Sequence, residues 1–321
     1  MPEGQPLVSV IMNCLNGEKY LREAIDSVYA QSYQNWEIIF WDNVSSDKSA
    51  EIAQGYDEKL KYFRGETTIS LGAARNLALE KANGELIAFL DCDDLWMPDK
   101  LQKQVPLFNQ PAVGLVFSNS INFNDKGQAR KNYRGWQPPS GNIFRQLLSG
   151  YFLSILTVVV RRSAIDDLEE WFEPEFVFAE EADLFLRICY QWNAEYIDDV
   201  LAKRREHKDG WTWKLKSTDS VYSINETFIR ESYLIIDKLK QIPFFEHKFQ
   251  KEIYVFIQNI KRDEAALEME RGNKKECRRL LKPYIKKNVI FMILFAISFF
   301  PFELFLLLKQ IYYKVVHEIT P

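Results

Sequence analysis

Cysteine is scarce in this sequence, and the scarcity removes two kinds of architecture. The four present, Cys14, Cys92, Cys189 and Cys277, stand far apart with no CxxC pair. Neither a zinc site nor a disulfide scaffold is indicated, and a reducing compartment suits the chain best. An excess of charge is also missing. Lys and Arg number 41 against 45 Asp and Glu, a formal charge of −4, which offers no general attraction for nucleic acid. Neither GxGxxG nor GxxxxGK followed by Ser or Thr occurs, which removes the dinucleotide and P-loop phosphate cradles. The opening residues, Met1-Pro2-Glu3-Gly4-Gln5-Pro6, lack the basic stretch and apolar run of a secretory signal, so a cytoplasmic catalytic part is expected.

What is present is an ordinary globular composition, 47% hydrophobic and 27% charged over 321 residues. That is enough for one large α/β domain with an appendix. Apolar runs alternate with helix-patterned segments in the first third, the pattern of a parallel sheet covered by helices. Strands are predicted at Leu7 to Met12, Glu37 to Trp41, Leu60 to Phe63 and Leu86 to Leu90. The segment from Glu18 to Gln31 puts Tyr20, Leu21, Ala24, Ile25 and Val28 on one helical face, and Leu71 to Lys81 reads as a second helix. Ser46 or Asp47 is placed to cap the helix that contains Ala50, Ile52 and Ala53. Further on, the pattern predicts strands at Val113 to Ser118, Thr157 to Val160 and Tyr196 to Leu201, and a helix over Phe178 to Gln191. A loose loop follows the turn at Asn124-Asp125-Lys126-Gly127. From about Ser217 long helical patterns take over. We therefore expect a sheet domain over 1–216, a helical extension over 217–287 and a hydrophobic tail over 288–321.

Three acidic features fall at the ends of predicted strands, and open α/β sheets bind ligands outside the carboxyl ends of their strands. The first begins at Asp42, whose carboxylate can accept hydrogen bonds from a nucleobase or ribose; an ordinary loop and helix cap is the plainer reading. The second is Asp91-Cys92-Asp93-Asp94. Three carboxylates in four residues repel one another unless a cation sits among them, and Mg2+ or Mn2+ prefers oxygen ligands; an exposed acidic turn is the alternative. Upstream, Arg75 and Asn76 open a helix of small residues facing the same crevice. The third is Glu180-Glu181-Ala182-Asp183, where a carboxylate within reach of an acceptor hydroxyl would act as general base. Acids at a helix start also suit the macrodipole.

These segments resemble the family-2 glycosyltransferases over roughly two-thirds of the chain. Val8 to Gly17 is similar to the family's opening strand and loop, with Asn13-Cys14-Leu15-Asn16 standing where Pro-Thr-Tyr-Asn is usual. Asp42-Asn43-Val44-Ser45-Ser46-Asp47 is similar to Asp-Asp-Gly-Ser-x-Asp. Gly84-Glu85-Leu86-Ile87-Ala88-Phe89-Leu90-Asp91-Cys92-Asp93-Asp94 is the most specific match, and Glu180 to Arg187 resembles Glu-Asp-x-Asp-Leu-x-Leu-Arg. The resemblance implies a GT-A-type α/β fold, a mixed, mostly parallel sheet flanked by helices with a C-terminal helical extension. It also implies inverting transfer from a nucleotide-diphosphate sugar, with a UDP-sugar favoured. Asn16, Asp42, Arg75, Asn76, Asp91 and Asp93 would bind the donor. Asp93, Asp94 and His207 would hold Mg2+ or Mn2+. Glu181 would be the base, one methylene longer than the family's aspartate, with Glu180 as fallback. Trp211 and Trp213 would cover the sugar or pack the domain. Because Glu181 and the Asn13-Cys14-Leu15 loop depart from the pattern, a catalytically silent sugar-nucleotide-binding or scaffold protein is the alternative.

Val289 to Leu308 is a mostly apolar run interrupted by Ser298, Pro301 and Glu303. Its length suits a membrane span, whereas the glutamate and proline favour a broken helix. Arg271, Lys274, Lys275, Arg278, Arg279, Lys282, Lys286 and Lys287 precede it against one acid, Glu276. Such a cluster suits an anionic inner leaflet, and association with the inner face of the cell membrane is expected, as is a glycan or lipid-linked acceptor.

Overall fold

Strands β1 (Val8–Cys14) and β2 (Trp36–Asp42) are each buried along all seven residues, which is why both read as continuous apolar runs rather than as an alternation. The computed structural model describes residues 5–208, 221–286 and 288–299, and the side chains from 226 onward in the second stretch. After α1 (Leu21–Tyr29) and β2 come α2 (Ser49–Gln54), β3 (Leu60–Arg64), α3 (Leu71–Glu80), β4 (Leu86–Phe89), β5 (Leu95–Trp96) and α4 (Lys100–Gln104). There follow β6 (Val113–Asn124), β7 (Ala129–Lys131), α5 (Phe144–Ser149), β8 (Val159–Arg161), α6 (Arg162–Asp166), α7 (Glu180–Gln191) and β9 (Asn193–Glu206).

The strands form one sheet in the order β3-β2-β1-β4-β8-β6-β9-β5, with β7 on β6. β1 pairs in parallel with β2, Val8 opposite Trp36 through Cys14 opposite Asp42, and with β4, Val8 opposite Leu86 through Ile11 opposite Phe89. β8 enters antiparallel between β4 and β6, and β9 returns parallel to β6. The carboxyl ends of β1, β2 and β4 therefore lie side by side; Asp42 ends β2, and the loops leaving β1 and β4 carry Asn16 and Asp91 to Asp94.

The helix faces follow the spacing. Leu21, Ala24, Ile25 and Val28 of α1 are buried, and Ser70 caps α3 by accepting from the Ala73 N–H at 3.3 Å. Within α3, Gly72 lets the chain at Glu173 come so close that a Cβ there would lie 2.8 Å from the Glu173 carbonyl oxygen. Two local expectations change. Helix α2 starts at Ser49 with no side-chain cap, because Asp47 instead accepts from the N–H groups of Glu18 and Ser49, both at 2.9 Å, and ties two loops together. In the segment read as loose loop, β7 pairs with β6; its Ala-Arg-Lys composition, on a short and largely exposed edge strand, carries no apolar signal.

The chain divides into two units, the first comprising Met1–Tyr133, Gln137–Leu147 and Tyr151–Gly210, the second Arg134–Trp136, Leu148–Gly150 and Trp211–Pro321. The second is helical where described: α8 (Val221–Lys240), α9 (Phe245–Lys248), α10 (Gln250–Glu270), α11 (Lys274–Leu281) and α12 (Val289–Ile297). Ile229, Ile260 and Leu267 form one small core, and Ala265, Met269, Cys277, Leu281, Phe291 and Ile297 another. Among the described residues no helix is long and apolar enough to cross a membrane. Pro301, Glu303 and the end of the apolar run at Leu308 lie outside those residues, as do Trp211 and Trp213.

Candidate active site

The loop after β1 is fixed by its neighbour after β2. Asn16 adopts φ 57°, a left-handed conformation that asparagine tolerates better than most residues. Its side-chain oxygen accepts from the Ser46 N–H at 2.8 Å, while its own N–H donates to Ser45 Oγ at 3.0 Å. Through these bonds Asn16, expected as a donor ligand, also shapes the loop. Val44 stands at φ 68°, where a β-branched side chain is strained by roughly 1–3 kcal/mol; this is the position at which the resembling sequences carry glycine. Asn43 holds both backbone groups of Ile69, just before α3, at 2.8 and 3.1 Å.

Asp42 is fully buried. One oxygen accepts from the Ser45 N–H at 2.7 Å, the other from the Tyr62 hydroxyl at 2.6 Å and from Arg64. Arg64, whose side chain is 42% exposed, is the member of the pair that reaches solvent. No motif pointed to Arg64; the sequence signal for it is its place at the end of β3, opposite Asp42 in the sheet.

Arg75 gathers the next group. Buried against Phe172, it donates to Asp91 at 3.1 Å and to Glu180 at 2.9 Å, so a carboxylate after β4 and one at the start of α7 share a single guanidinium. Asn76, expected beside it at the nucleotide, turns the other way. Its amide donates to the Phe172 carbonyl at 2.8 Å and accepts from the Phe172 N–H at 3.0 Å, which makes it a clamp on that loop.

Of the other acids in the loop, Asp93 is half-buried and shares a 2.9 Å hydrogen bond with His207 Nε2. Burial, then the charge of Asp91, push the Asp93 carboxyl above its ordinary value. Asp94, read from sequence as a metal ligand, points into the protein: it is 4% exposed and accepts from the Arg205 N–H at 2.8 Å. Arg205 was invisible in the sequence. It lies between the rings of Tyr20 and Phe123, donates to the Asp93 carbonyl at 3.0 Å and to Glu23 at 2.7 Å, and so latches the end of β9 onto the acidic loop.

Glu181 is half-buried at the start of α7, one oxygen accepting from the Ile155 N–H at 3.2 Å. Burial, joined by the charge of Glu180 and offset in part by Arg75, pushes its carboxyl up to about 7. A group with that value takes and releases protons at neutral pH. Glu180 is committed to Arg75, and Asp183 is buried and pairs with Arg187 at 2.7 Å. The Tyr151 hydroxyl, pushed up by burial and then by the Glu181 charge, is buried without a hydrogen-bond partner.

Hard oxygen donors for Mg2+ or Mn2+ come from the same loop. Among the described residues no three Asp, Glu, His or Cys side chains gather around one point. Asp93 is the part-exposed candidate, Asp91 is its neighbour, and the buried, unpartnered Nδ1 of His207 lies beside them.

Comparison with known proteins bears on the family and the fold. A family model, glycosyl transferase family 2, matches residues 9–168. The UDP-Glc:alpha-D-GlcNAc-diphosphoundecaprenol beta-1,3-glucosyltransferase WfgD of Escherichia coli is 31% identical over 193 residues, spanning 60% of this chain and 73% of that protein. Among solved structures, S. aureus TarS 1-349 in complex with UDP-GlcNAc superposes with a TM-score of 0.69 at 19% identity, covering 87% of this chain and 80% of the other. The mannosyltransferase PcManGT from Pyrobaculum calidifontis, in complex with GDP-Man and Mn2+, gives 0.61 at 17% identity, covering 98% and 82%. At those identities the two structures speak for the fold.

Proposed function

This chain belongs to glycosyl transferase family 2 and is an inverting glycosyltransferase, and we propose that it moves a sugar from a UDP-sugar onto a lipid-linked acceptor in cell-envelope glycan synthesis. The observation that carries the catalytic reading is Glu181, with a carboxyl value of about 7, joined to the acidic loop through Glu180, Arg75 and Asp91. Its carboxylate takes the proton of the acceptor hydroxyl, and that oxygen forms a bond to the anomeric carbon. The bond from carbon to diphosphate breaks on the opposite face, its electrons leaving on the phosphate oxygen, which is why configuration inverts. Arg75 fixes Asp91 and Glu180 relative to each other, and Arg205 and His207 fix Asp93. A divalent ion held at Asp93 would neutralise charge on the departing diphosphate. The donor class is supported by the UDP-Glc in the name of WfgD and the UDP-GlcNAc bound to TarS. We expect UDP-sugars, in a panel with GDP- and dTDP-sugars, to give the largest Mn2+-dependent thermal shift and to release nucleotide diphosphate. Binding of UDP-sugars with no release under any acceptor would remove them as the donor class.

The second unit is proposed to bind a membrane surface. Helix α12 buries Phe291 and Ile297 in the second helical core. It exposes Val289 (63%), Met292 (50%) and Ile293 (40%), with Phe299 (61%) just beyond its end. The spacing keeps these on one side of the helix. Lys275, Lys282 and Lys286, all exposed, precede it. An apolar stripe beside basic residues suits a helix lying in an anionic interface. The protein is expected to sediment with phosphatidylglycerol vesicles and not with phosphatidylcholine ones, and Met292→Glu with Ile293→Glu to weaken that binding at least about tenfold, about 1.4 kcal/mol. Equal binding of wild type and variant would remove the stripe from the interface.

A further inference from the structure

Two of the four cysteines, too distant in sequence to suggest a pair, meet beneath the donor loops. In the parallel ladder of β1 and β4, Ile11 faces Phe89, and the Leu90 N–H still donates to the Ile11 carbonyl at 3.1 Å. Continuing that register brings Cys14, the last residue of β1, opposite Cys92, the second residue of the acidic loop. Neighbouring strands run about 4.7–4.9 Å apart, inside the ~4.4–6.8 Å between Cα atoms that a disulfide accepts. The side chains agree with the backbone. The sulfurs of Cys14 and Cys92 each lie 2.8 Å from the point where a Cβ on Gly17 would stand. They are therefore no farther apart than twice that distance. Gly17 leaves the space above them empty of side chain. Cys14 is buried and Cys92 partly exposed. Cys189 and Cys277, on α7 and α11, are both buried.

We propose that Cys14 and Cys92 form a reversible disulfide site that switches the donor loop off under peroxide. One of the two sulfurs attacks a peroxide oxygen and the O–O bond breaks, giving a sulfenic acid and, after protonation, water. The other sulfur then attacks the sulfenic sulfur, the S–S bond forms, and a second water leaves. Two thiols have lost two hydrogens, and peroxide has been reduced to two waters. Closing the sulfurs to ~2.05 Å draws Cys92 toward β1, and with it Asp91, which holds Arg75, and Asp93, which holds His207. The bond stands independently of the proposed function, whereas its effect on turnover rests on that reading.

The test treats the full-length protein with hydrogen peroxide, alkylates free thiols and maps the peptides. The expected result is a Cys14–Cys92 linked peptide with Cys189 and Cys277 still alkylated. It should come with a loss of nucleotide release of about 100-fold, the scale that a displacement of about 1 Å carries, and recovery on adding dithiothreitol. Cys14→Ala, compared with its own untreated activity, should resist reversible inactivation. Should that variant fold poorly, linkage mapping on the wild type decides alone. Absence of the linked peptide, with Cys92 recovered as sulfinic acid, overturns the site. A linked peptide with unchanged turnover overturns the switch. If no donor is ever turned over, the UDP thermal shift of oxidised and reduced protein still reports whether the loop responds.

Discussion

Replacing Glu181 by glutamine is expected to lower sugar transfer by about 10²–10⁴-fold, the usual contribution of a positioned general base, with the UDP-dependent thermal shift unchanged. The separation follows from the site. Glu181 is held by the Ile155 N–H and lies near Tyr133 and Tyr151, whose hydroxyls both feel its charge; the donor contacts are proposed for other side chains. In the wild type, transfer should fall as pH drops through about 7, where Glu181 gains its proton, and the glutamine variant should lose that inflection. The linkage to stability has the opposite sense to that of a salt-bridged carboxylate. Its value in the fold lies above its ordinary one, so the stability it contributes is present below about 4.5, falls as pH rises, and is gone above about 7. At pH 8 the glutamine variant, relieved of a buried charge, should melt no lower than the wild type, so a loss of transfer there cannot be assigned to unfolding. A variant with full transfer would remove Glu181 from the chemistry.

The parallel half of the sheet was readable because its signal is local: β1, β2 and β4 are short apolar runs ended by polar turn residues, and the acidic loop follows the third directly. The direction in which each acid points was not local. Asp93 and Asp94 are adjacent, yet one reaches His207 and the other turns inward to the Arg205 N–H, a partner 111 residues away. Asn76 follows Arg75, and the turn of α3 sends the arginine to Asp91 and the asparagine to Phe172. Adjacent helical positions differ by about 100° around the axis, so one motif delivered both a bridge between two acids and a clamp. Arg205 had no motif at all; its role comes from where β9 ends relative to the loop after β4. The pairing of Cys14 with Cys92 depends likewise on strand register, which spacing along the chain does not reveal.

Asp93→Ala should reduce transfer about 1,000-fold or more, since a Lewis acid at a departing diphosphate is worth several kcal/mol and about 1.4 kcal/mol is tenfold. Unlike the change at Glu181, it should also abolish the Mn2+-dependent part of the donor's thermal shift. The reasoning starts from the cost of the free site. Burial and the charge of Asp91 both disfavour an anionic Asp93, and His207 answers one of its oxygens, leaving the other for a cation. Removing the carboxylate removes that repulsion along with the ligand, so the metal-free variant should be about as stable as the wild type. Asp94→Ala supplies the contrast. It strips the acceptor from the Arg205 N–H, and a buried group left unpaired costs about 1–3 kcal/mol, so melting should drop while some Mn2+ response remains in the folded fraction. If both substitutions instead erase the Mn2+ response without lowering the melting temperature, Asp94 is a ligand after all and its inward contact gives way when the donor binds.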